Sequence, residues 1–198
     1  MRWPEMSSSA TFEVLHAVSR SLEDDFIDED MSELQMGKQN VTNRMVTVRG
    51  RHRGRAVVLQ YADFHSETIN PLAPAIFERN VLELFVAQPR VTFEGTCRDR
   101  SPWDKFLRLF GAGGLKGDTA VFDACRVDAT DQGNTACLNH RPFADLLQQV
   151  AQSPSCMRVK MQAGAGVGPL LRWTGRTSPE AVLASLDQAV RLAATLDA

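Results

Sequence analysis

The first hundred residues carry two different spacings of apolar positions. Between residues 12 and 26 an apolar side chain recurs at helical spacing, which predicts a first helix that ends in an acidic run. That set consists of Phe12, Leu15, Val18, Leu22 and Phe26. Later segments alternate between apolar and polar residues, which predicts strands at 45–48, 56–61, 81–86 and 90–95. Glycines within residues 49–55 and the Gln88-Pro89 pair predict the turns of two hairpins.

The residues after 100 predict further helices and strands. Ser101 as an N-cap, Pro102 at the first helical position and Asp104 in the first turn mark the start of a helix. Its apolar stripe, expected to pack in the core, consists of Trp103, Phe106, Leu107 and Phe110. A strand at 121–127, a helix at 142–151, a strand pair at 157–161 and 170–173, and a last helix capped by residues 177–180 complete the pattern. The last helix is expected to bury Val182, Leu186, Ala189, Val190, Ala193 and Leu196.

Strands therefore cluster beside strands and do not alternate regularly with helices. This grouping favours the α+β class, with an antiparallel sheet of hairpins packed against several helices, over a parallel doubly wound sheet. A chain of 198 residues suits a single domain over residues 1–198. Within it the pattern suggests two sub-halves, 1–98 with a helix and hairpins, and 99–198 with a helix, strand, helix, hairpin and helix.

Short motifs in the second half carry a resemblance. The segment Gly117-Asp118-Thr119-Ala120-Val121-Phe122-Asp123 is followed by residues 126–127, by the helix that contains Phe143-Ala144-Asp145-Leu146-Leu147, and by the closing helix rich in alanine and leucine. This order resembles an uncharacterised bacterial domain family in which a Gly-Asp-x-x-Phe-Asp strand precedes a helix, a hairpin and a second helix. The resemblance covers roughly the last half of the chain. It implies a fold and no catalytic residue, and many members of that family carry membrane anchors.

Composition and cysteine usage restrict the class of protein. A hydrophobic fraction of 43% and a net charge of −2 are ordinary for a soluble globular protein. The N-terminal residues lack an apolar signal segment, and no stretch has the length of a membrane helix, so a cytoplasmic location is expected. In that compartment four reduced thiols are expected at Cys97, Cys125, Cys137 and Cys156. Their spacing matches no zinc motif, so no metal and no cofactor is predicted.

Catalytic constellations do not stand out in the pattern. The glycine segments at 111–117 and 164–168 lack the strand-to-helix context of a phosphate loop and favour flexible turns. The acidic run 23–33 has the wrong spacing for a calcium loop. A nucleophile assembled by the fold from Cys97 or Cys125 and a histidine remains an alternative, because sequence distance does not exclude it. No catalytic residue is therefore assigned, and the interpretation leans away from an enzyme.

Charge is distributed unevenly along the chain. Positive charge concentrates in the first hairpin, after Arg44, at Arg49, Arg51, His52, Arg53 and Arg55. Negative charge concentrates at Glu23, Asp24, Asp25, Asp28, Glu29, Asp30 and Glu33. Such runs usually form solvated surface. The sharper hypothesis is that the two runs complement each other within the chain or between copies, or that the arginines contact an acidic partner.

These observations predict a non-enzymatic binding or assembly module that contacts an acidic partner through the arginine-rich hairpin. A protein partner or self-association fits this hypothesis. Two alternatives stay open: a small-molecule hydrolase or transferase with a spatially assembled Cys/His site, and a nucleic-acid or anionic-lipid binder through residues 49–55. The basic residues around the Trp103 helix also fit peripheral contact with a membrane surface.

Overall fold

The described residues form an eight-stranded antiparallel sheet with the three longest helices packed against one face. A computed structural model describes residues 6–36, 39–68, 76–108, 114–130, 136–174 and 177–197. The predicted α+β class, with hairpin strands packed against several helices, is confirmed. Among the described residues no helix has both the length and the apolar character needed to cross a membrane.

The strands and helices follow one another in an order that places both sub-halves in a single sheet. The strands are β1 (Glu23–Met36), β2 (Gln39–His52), β3 (Arg55–Thr68), β4 (Ile76–Ala87), β5 (Gly95–Asp99), β6 (Cys125–Ala129), β7 (Cys156–Gln162) and β8 (Gly166–Arg172). The helices are α1 (Met6–Ser19), α2 (Pro102–Arg108), α3 (Val121–Ala124), α4 (Arg141–Ala151) and α5 (Pro179–Ala194), with a 3-10 turn at Ala136–Asn139. The strands lie in the order β1-β2-β3-β4-β8-β7-β5-β6, so the sub-halves meet where β4 pairs with β8 and where β5 pairs with β6 and β7.

The two faces of the sheet differ in burial because side chains alternate along each strand. Val48 in β2 opposes Leu59 in β3, which opposes Leu84 in β4, and all three side chains are 0% exposed. Helix α5 packs against α1 and against α4, and all three helices pack against strands on this side. We call this side the covered face and the opposite side the open face.

The second half confirms most of the predicted elements. Ser178 caps α5 by accepting a hydrogen bond from the Ala181 amide at 3.3 Å, and Pro179 is the first helical residue. The predicted face of this helix is buried, with every member at 9% exposure or less: Val182, Leu186, Ala189, Val190, Ala193 and Leu196. The predicted helix at 142–151 corresponds to α4, and the predicted final strand pair is the β7–β8 hairpin.

The prediction for the first helix is wrong at its end. Helix α1 stops at Ser19, and the acidic run forms β1, which pairs antiparallel with β2. Leu22 follows the helix and is buried beside Gly50, where an added Cβ would approach the Leu22 Cβ to 2.9 Å. Phe26 lies in β1 and is 57% exposed. Packing of Leu22 against β2 and strand pairing of Phe26 with β2 therefore override the helical spacing of these two residues.

The predicted pairing of residues 81–86 with residues 90–95 is also wrong. Strand β4 pairs with β3 and β8, and residues 91–94 lie outside the strands. Gln88 is fully buried and its Nε2 donates to the Ala193 carbonyl at 2.5 Å, which directs the chain towards the end of α5. The next strand begins only at Gly95 and pairs with β6 and β7.

A short helix occupies most of the predicted strand at 121–127. Helix α3 is followed directly by β6, which begins at Cys125. Phe122 is 3% exposed, and its ring lies where a Cβ on Gly117 would be, within 2.3 Å. The Phe122 carbonyl accepts a hydrogen bond from the buried Arg100 guanidinium at 2.9 Å. These long-range contacts stabilise the helical turn against the strand propensity of Val121 and Phe122.

Two of the four stripe residues on α2 are exposed and not core, and Leu107 is half-buried. The predicted helix start at Pro102 is confirmed, but Trp103 is 64% exposed and Phe106 is 47% exposed. Their rings stack on each other with centroids 5.2 Å apart. Phe110 lies outside the described residues. Asp104, on the other side of the helix, is the buried member of this turn, and its ion pairs with Arg98 and Arg126 help to position α2.

Candidate binding face of the sheet

The arginine-rich segment is mostly strand and not loop. Arg49 and Arg51 belong to β2, and the turn of the β2–β3 hairpin consists of Arg53 and Gly54. Both turn residues have positive φ, 52° for Arg53 and 76° for Gly54, as a tight turn that matches the twist of a hairpin requires. The predicted loop at residues 49–55 is therefore wrong in extent, since regular pairing continues to His52 opposite Arg55.

Three of the five predicted contact residues bind carboxylates of α5 and the residues after it. His52 Nε2 lies 2.6 Å from Asp187 Oδ1, and Arg53 Nη2 donates to Asp187 Oδ2 at 2.8 Å. Arg55 pairs with Asp197. The hydrogen bond from His52, assisted by the charge of Arg53, lowers the pKa of Asp187 below its ordinary value. These three pairs hold the end of the β2–β3 hairpin against α5 and the residues that follow it.

The other two residues, Arg49 and Arg51, are exposed on the open face. They alternate with the buried Val48, so their side chains leave the sheet on the side opposite the helices. Within the part of the chain that the structure describes, neither guanidinium has a hydrogen-bond or ion-pair partner. Arg49 lies opposite the exposed Phe26 of β1 and the half-buried Val58 of β3.

Around these arginines the open face combines half-buried apolar side chains with an internal ion pair. Val58 lies opposite Phe85 of β4, and both are half-buried. Further along the sheet, Lys160 Nζ donates to Glu83 Oε2 at 2.5 Å. The Lys160–Glu83 pair is neutral overall, so this lysine attracts an acidic partner less strongly than an unpaired arginine does. The positive charge of this region that is outside an ion pair among the described residues therefore lies at Arg49 and Arg51, the latter opposite Glu23 of β1.

The acidic run is an edge strand. Because β1 pairs only on its β2 side, its carboxylates lie along an edge of the sheet, where charge discourages pairing with another chain. One acidic residue complements the basic strand directly: Arg44 Nη2 lies 2.6 Å from Glu29 Oε1, and the same guanidinium lies 4.1 Å from the centroid of the Phe12 ring. The hypothesis that the two charge runs meet within the chain is thus realised at this one pair among the described side chains of β1 and β2.

The buried carboxylate of Asp104 on α2 is a site that the sequence did not lead us to predict. The side chain of Asp104 is 1% exposed and accepts two hydrogen bonds from Arg98, at 2.7 and 2.8 Å. Arg126 Nη1 adds a third at 3.0 Å, and Ser101 donates both its amide and its hydroxyl. The Arg98 guanidinium, with Ser101 and Arg126, holds the pKa of Asp104 well below its usual range. This carboxylate stays ionised and joins α2 to β5 and β6, which makes it structural and unsuited to proton transfer near neutral pH.

The cysteines do not form the alternative Cys/His site among the described residues. All four are free; Cys97, Cys125 and Cys137 are buried, and Cys156 is half-buried. The Cys97 thiol hydrogen-bonds to Cys125, which raises the pKa of Cys97 and lowers that of Cys125. Burial raises the pKa of Cys156 to about 12. None of these thiols hydrogen-bonds to a described histidine, and the described residues contain no cluster of three or more metal-ligating side chains.

Comparison of the chain with protein-family models, with curated proteins and with solved structures found no match. The resemblance to the bacterial family with the Gly-Asp strand motif therefore stays a prediction. In the structure, residues 117–120 form a bend and turn before α3, and the strand that follows begins at Cys125. The residues of the Gly-Asp motif thus form a turn and a helix, where the resemblance implies a strand. The observed strand begins directly after them.

Proposed function

We propose that this protein is a binding module that contacts an acidic protein partner through Arg49 and Arg51 on the open face of its sheet. The observation that carries the proposal is that the basic residues of the arginine-rich segment fall into two groups, one paired with carboxylates and one not. His52, Arg53 and Arg55 are neutralised by carboxylates of the same chain, whereas Arg49 and Arg51 are exposed and unpaired among the described residues. An arginine that is not neutralised can bind a carboxylate with two parallel hydrogen bonds.

The neighbourhood of the two arginines supports contact with a protein. Half-buried Val58 and Phe85 provide apolar surface beside the charges, and the exposed Phe26 lies at the end of the same row. Interfaces combine apolar and aromatic anchors with arginine in this way. A cytoplasmic location and a bacterial source belong to the proposal. The free state of all four cysteines supports the former, and the resemblance in the second half supports the latter.

The test uses two polyanions as probes, because carboxylate and phosphate partners give different outcomes. Fluorescently labelled poly-L-glutamate represents an acidic protein surface, and a labelled single-stranded oligonucleotide represents nucleic acid. We expect poly-L-glutamate to bind with an affinity that falls as salt rises, and replacement of Arg49 and Arg51 by serine to weaken binding by about tenfold or more. Folding should be unchanged, since exposed charges alter stability by less than about 0.5 kcal/mol.

The matched control replaces two exposed arginines elsewhere, Arg20→Ser with Arg141→Ser, which removes the same net charge from other surfaces. If the control weakens binding as much as the Arg49/Arg51 variant, the effect is one of net charge and the proposed site is wrong. Binding of the oligonucleotide alone would favour the nucleic-acid alternative. Equal binding by the wild type and the Arg49/Arg51 variant would contradict the proposal for either probe.

A further inference from the structure

A cavity separate from the open face lies between the end of β8 and the first turns of α5. Its volume is about 220 Å³. Its wall is predominantly apolar and includes Leu82, Leu171, Trp173 and Val182, all of which are 9% exposed or less. Ser155, Thr174, Thr177 and Ser185 contribute hydroxyl groups to the lining, and Arg172 is its charged member. A concave apolar site with a few polar groups is the usual form of a small-molecule site.

The wall of this cavity is held in place before any ligand binds. The Trp173 ring packs edge to face against Tyr61 with centroids 5.0 Å apart, and the Trp173 amide donates to the Asn80 carbonyl at 3.1 Å. On the side of α5, the Thr174 amide donates to Thr177 Oγ1 at 3.0 Å and the Thr177 amide donates to the Thr174 carbonyl at 2.9 Å. These walls are already ordered in the folded protein, so ligand binding does not incur the entropy cost of ordering them.

Small side chains on α5 leave the space open. Ala181 and Ser185, one helical turn apart, line the cavity beside the buried Val182. A cavity of about 150 Å³ holds one benzene molecule, and each further water-sized group needs about 30 Å³. The space here thus accommodates one aromatic ring system with about two further heavy atoms. The Trp173 indole offers such a ring an aromatic partner for an edge-to-face or offset contact.

The hydroxyl of Ser185 determines the polarity of the ligand group beside it. Ser185 Oγ donates its single hydrogen to the Ala181 carbonyl at 3.0 Å, so its oxygen is left with lone pairs that accept. We propose that this cavity binds a small aromatic molecule that carries a hydrogen-bond donor, with the shape and polarity of indole or a phenol.

Isothermal titration calorimetry of the full chain with indole tests the proposal, and 1-benzofuran provides an isostere without the N–H donor. We expect saturable binding of indole with a stoichiometry of one, and binding of benzofuran that is about tenfold weaker. Ser185→Ala removes the accepting oxygen and should bring the two affinities together. An absence of indole binding, or equal affinities for both compounds on the wild type, would overturn the proposal.

Two leucine substitutions on α5 test the location. Ala181→Leu fills the cavity and should abolish indole binding, while Ala184→Leu, at an exposed position on the same helix that does not line it, should leave binding unchanged. Thermal unfolding checks that both variants fold, and Ser185→Ala gives a second measure should Ala181→Leu fail to do so. Indole binding by a folded Ala181→Leu variant with wild-type affinity would contradict the assignment.

Discussion

The two faces of the sheet are formed by the same strands and differ in the burial of their side chains. On the covered face Val48, Leu59 and Leu84 are fully buried beneath helices, whereas on the open face Val58 and Phe85 are half-buried and Arg49 is exposed. Alternation places consecutive residues of one strand in both environments, so Leu84 and Phe85 differ in burial although they are neighbours. One face therefore supplies the hydrophobic stability, while the other leaves Arg49 exposed.

The largest expected effect tests the covered face. Leu84→Ala should lower the free energy of unfolding by about 2–5 kcal/mol, because it leaves a cavity in a close-packed interior. The comparison variant Val58→Ala, on the open face, should cost about 1 kcal/mol or less, since its neighbours there can relax into solvent. Urea unfolding followed by circular dichroism measures both. Equal losses would mean that the open face is covered in solution, for example by a second copy.

An intermediate effect is expected for the ion network that joins α2 to the sheet. Asp104→Asn leaves donors of Arg98 and Ser101 without a charged acceptor and should cost about 1–3 kcal/mol at neutral pH. The folded-state pKa of Asp104 lies below its unfolded value of about 3.9, so this stabilisation is present above that pH and is lost as pH falls towards the folded pKa.

The measurement is the unfolding free energy of the wild type and the variant between neutral pH and about pH 3. The difference between them should shrink as the pH falls. Asp118→Asn, at an exposed position, is the matched control and should change stability little at any pH. A difference for Asp104→Asn that stays constant across this range would show that the ionised form of Asp104 does not supply the stabilisation.

The smallest effect is expected at the exposed aromatic pair of α2. Trp103→Ala should change the free energy of unfolding by about 0.5 kcal/mol or less, because the side chain is 64% exposed. The buried Trp173 is the matched comparison, and Trp173→Ala should cost about 3–5 kcal/mol. Thermal and chemical unfolding distinguish the two. A large loss for Trp103→Ala would indicate that this helix packs against another surface in solution and would restore the original core prediction.

The elements that the pattern predicted well are those with strong local signals. Helix α5 carries a serine cap, a proline at its first position and a regular apolar face, and all three features are confirmed. The β2–β3 hairpin follows from alternation around a turn that contains glycine. Where two periods fit the same residues, as at Leu22 and Phe26, the prediction was wrong, since local pattern cannot say which partner the segment will find. At α2 the predicted helix is confirmed and the predicted buried face is wrong, because Trp103 and Phe106 are exposed while Asp104 is buried by its ion pairs.

The sequence by itself determined the α+β class, the strands that alternate and the capped final helix, because these depend on side-chain periodicity and on contacts between near neighbours. Only the tertiary structure decided which arginines are neutralised. Arg53 meets Asp187 across 134 residues of chain, and Arg55 meets Asp197 across 142. Such pairs form only after the sheet has placed α5 against the hairpin, and no local spacing encodes them. The same packing left Arg49 and Arg51 on the open face and a cavity beside Trp173, and these are the places where the function of the protein can be tested.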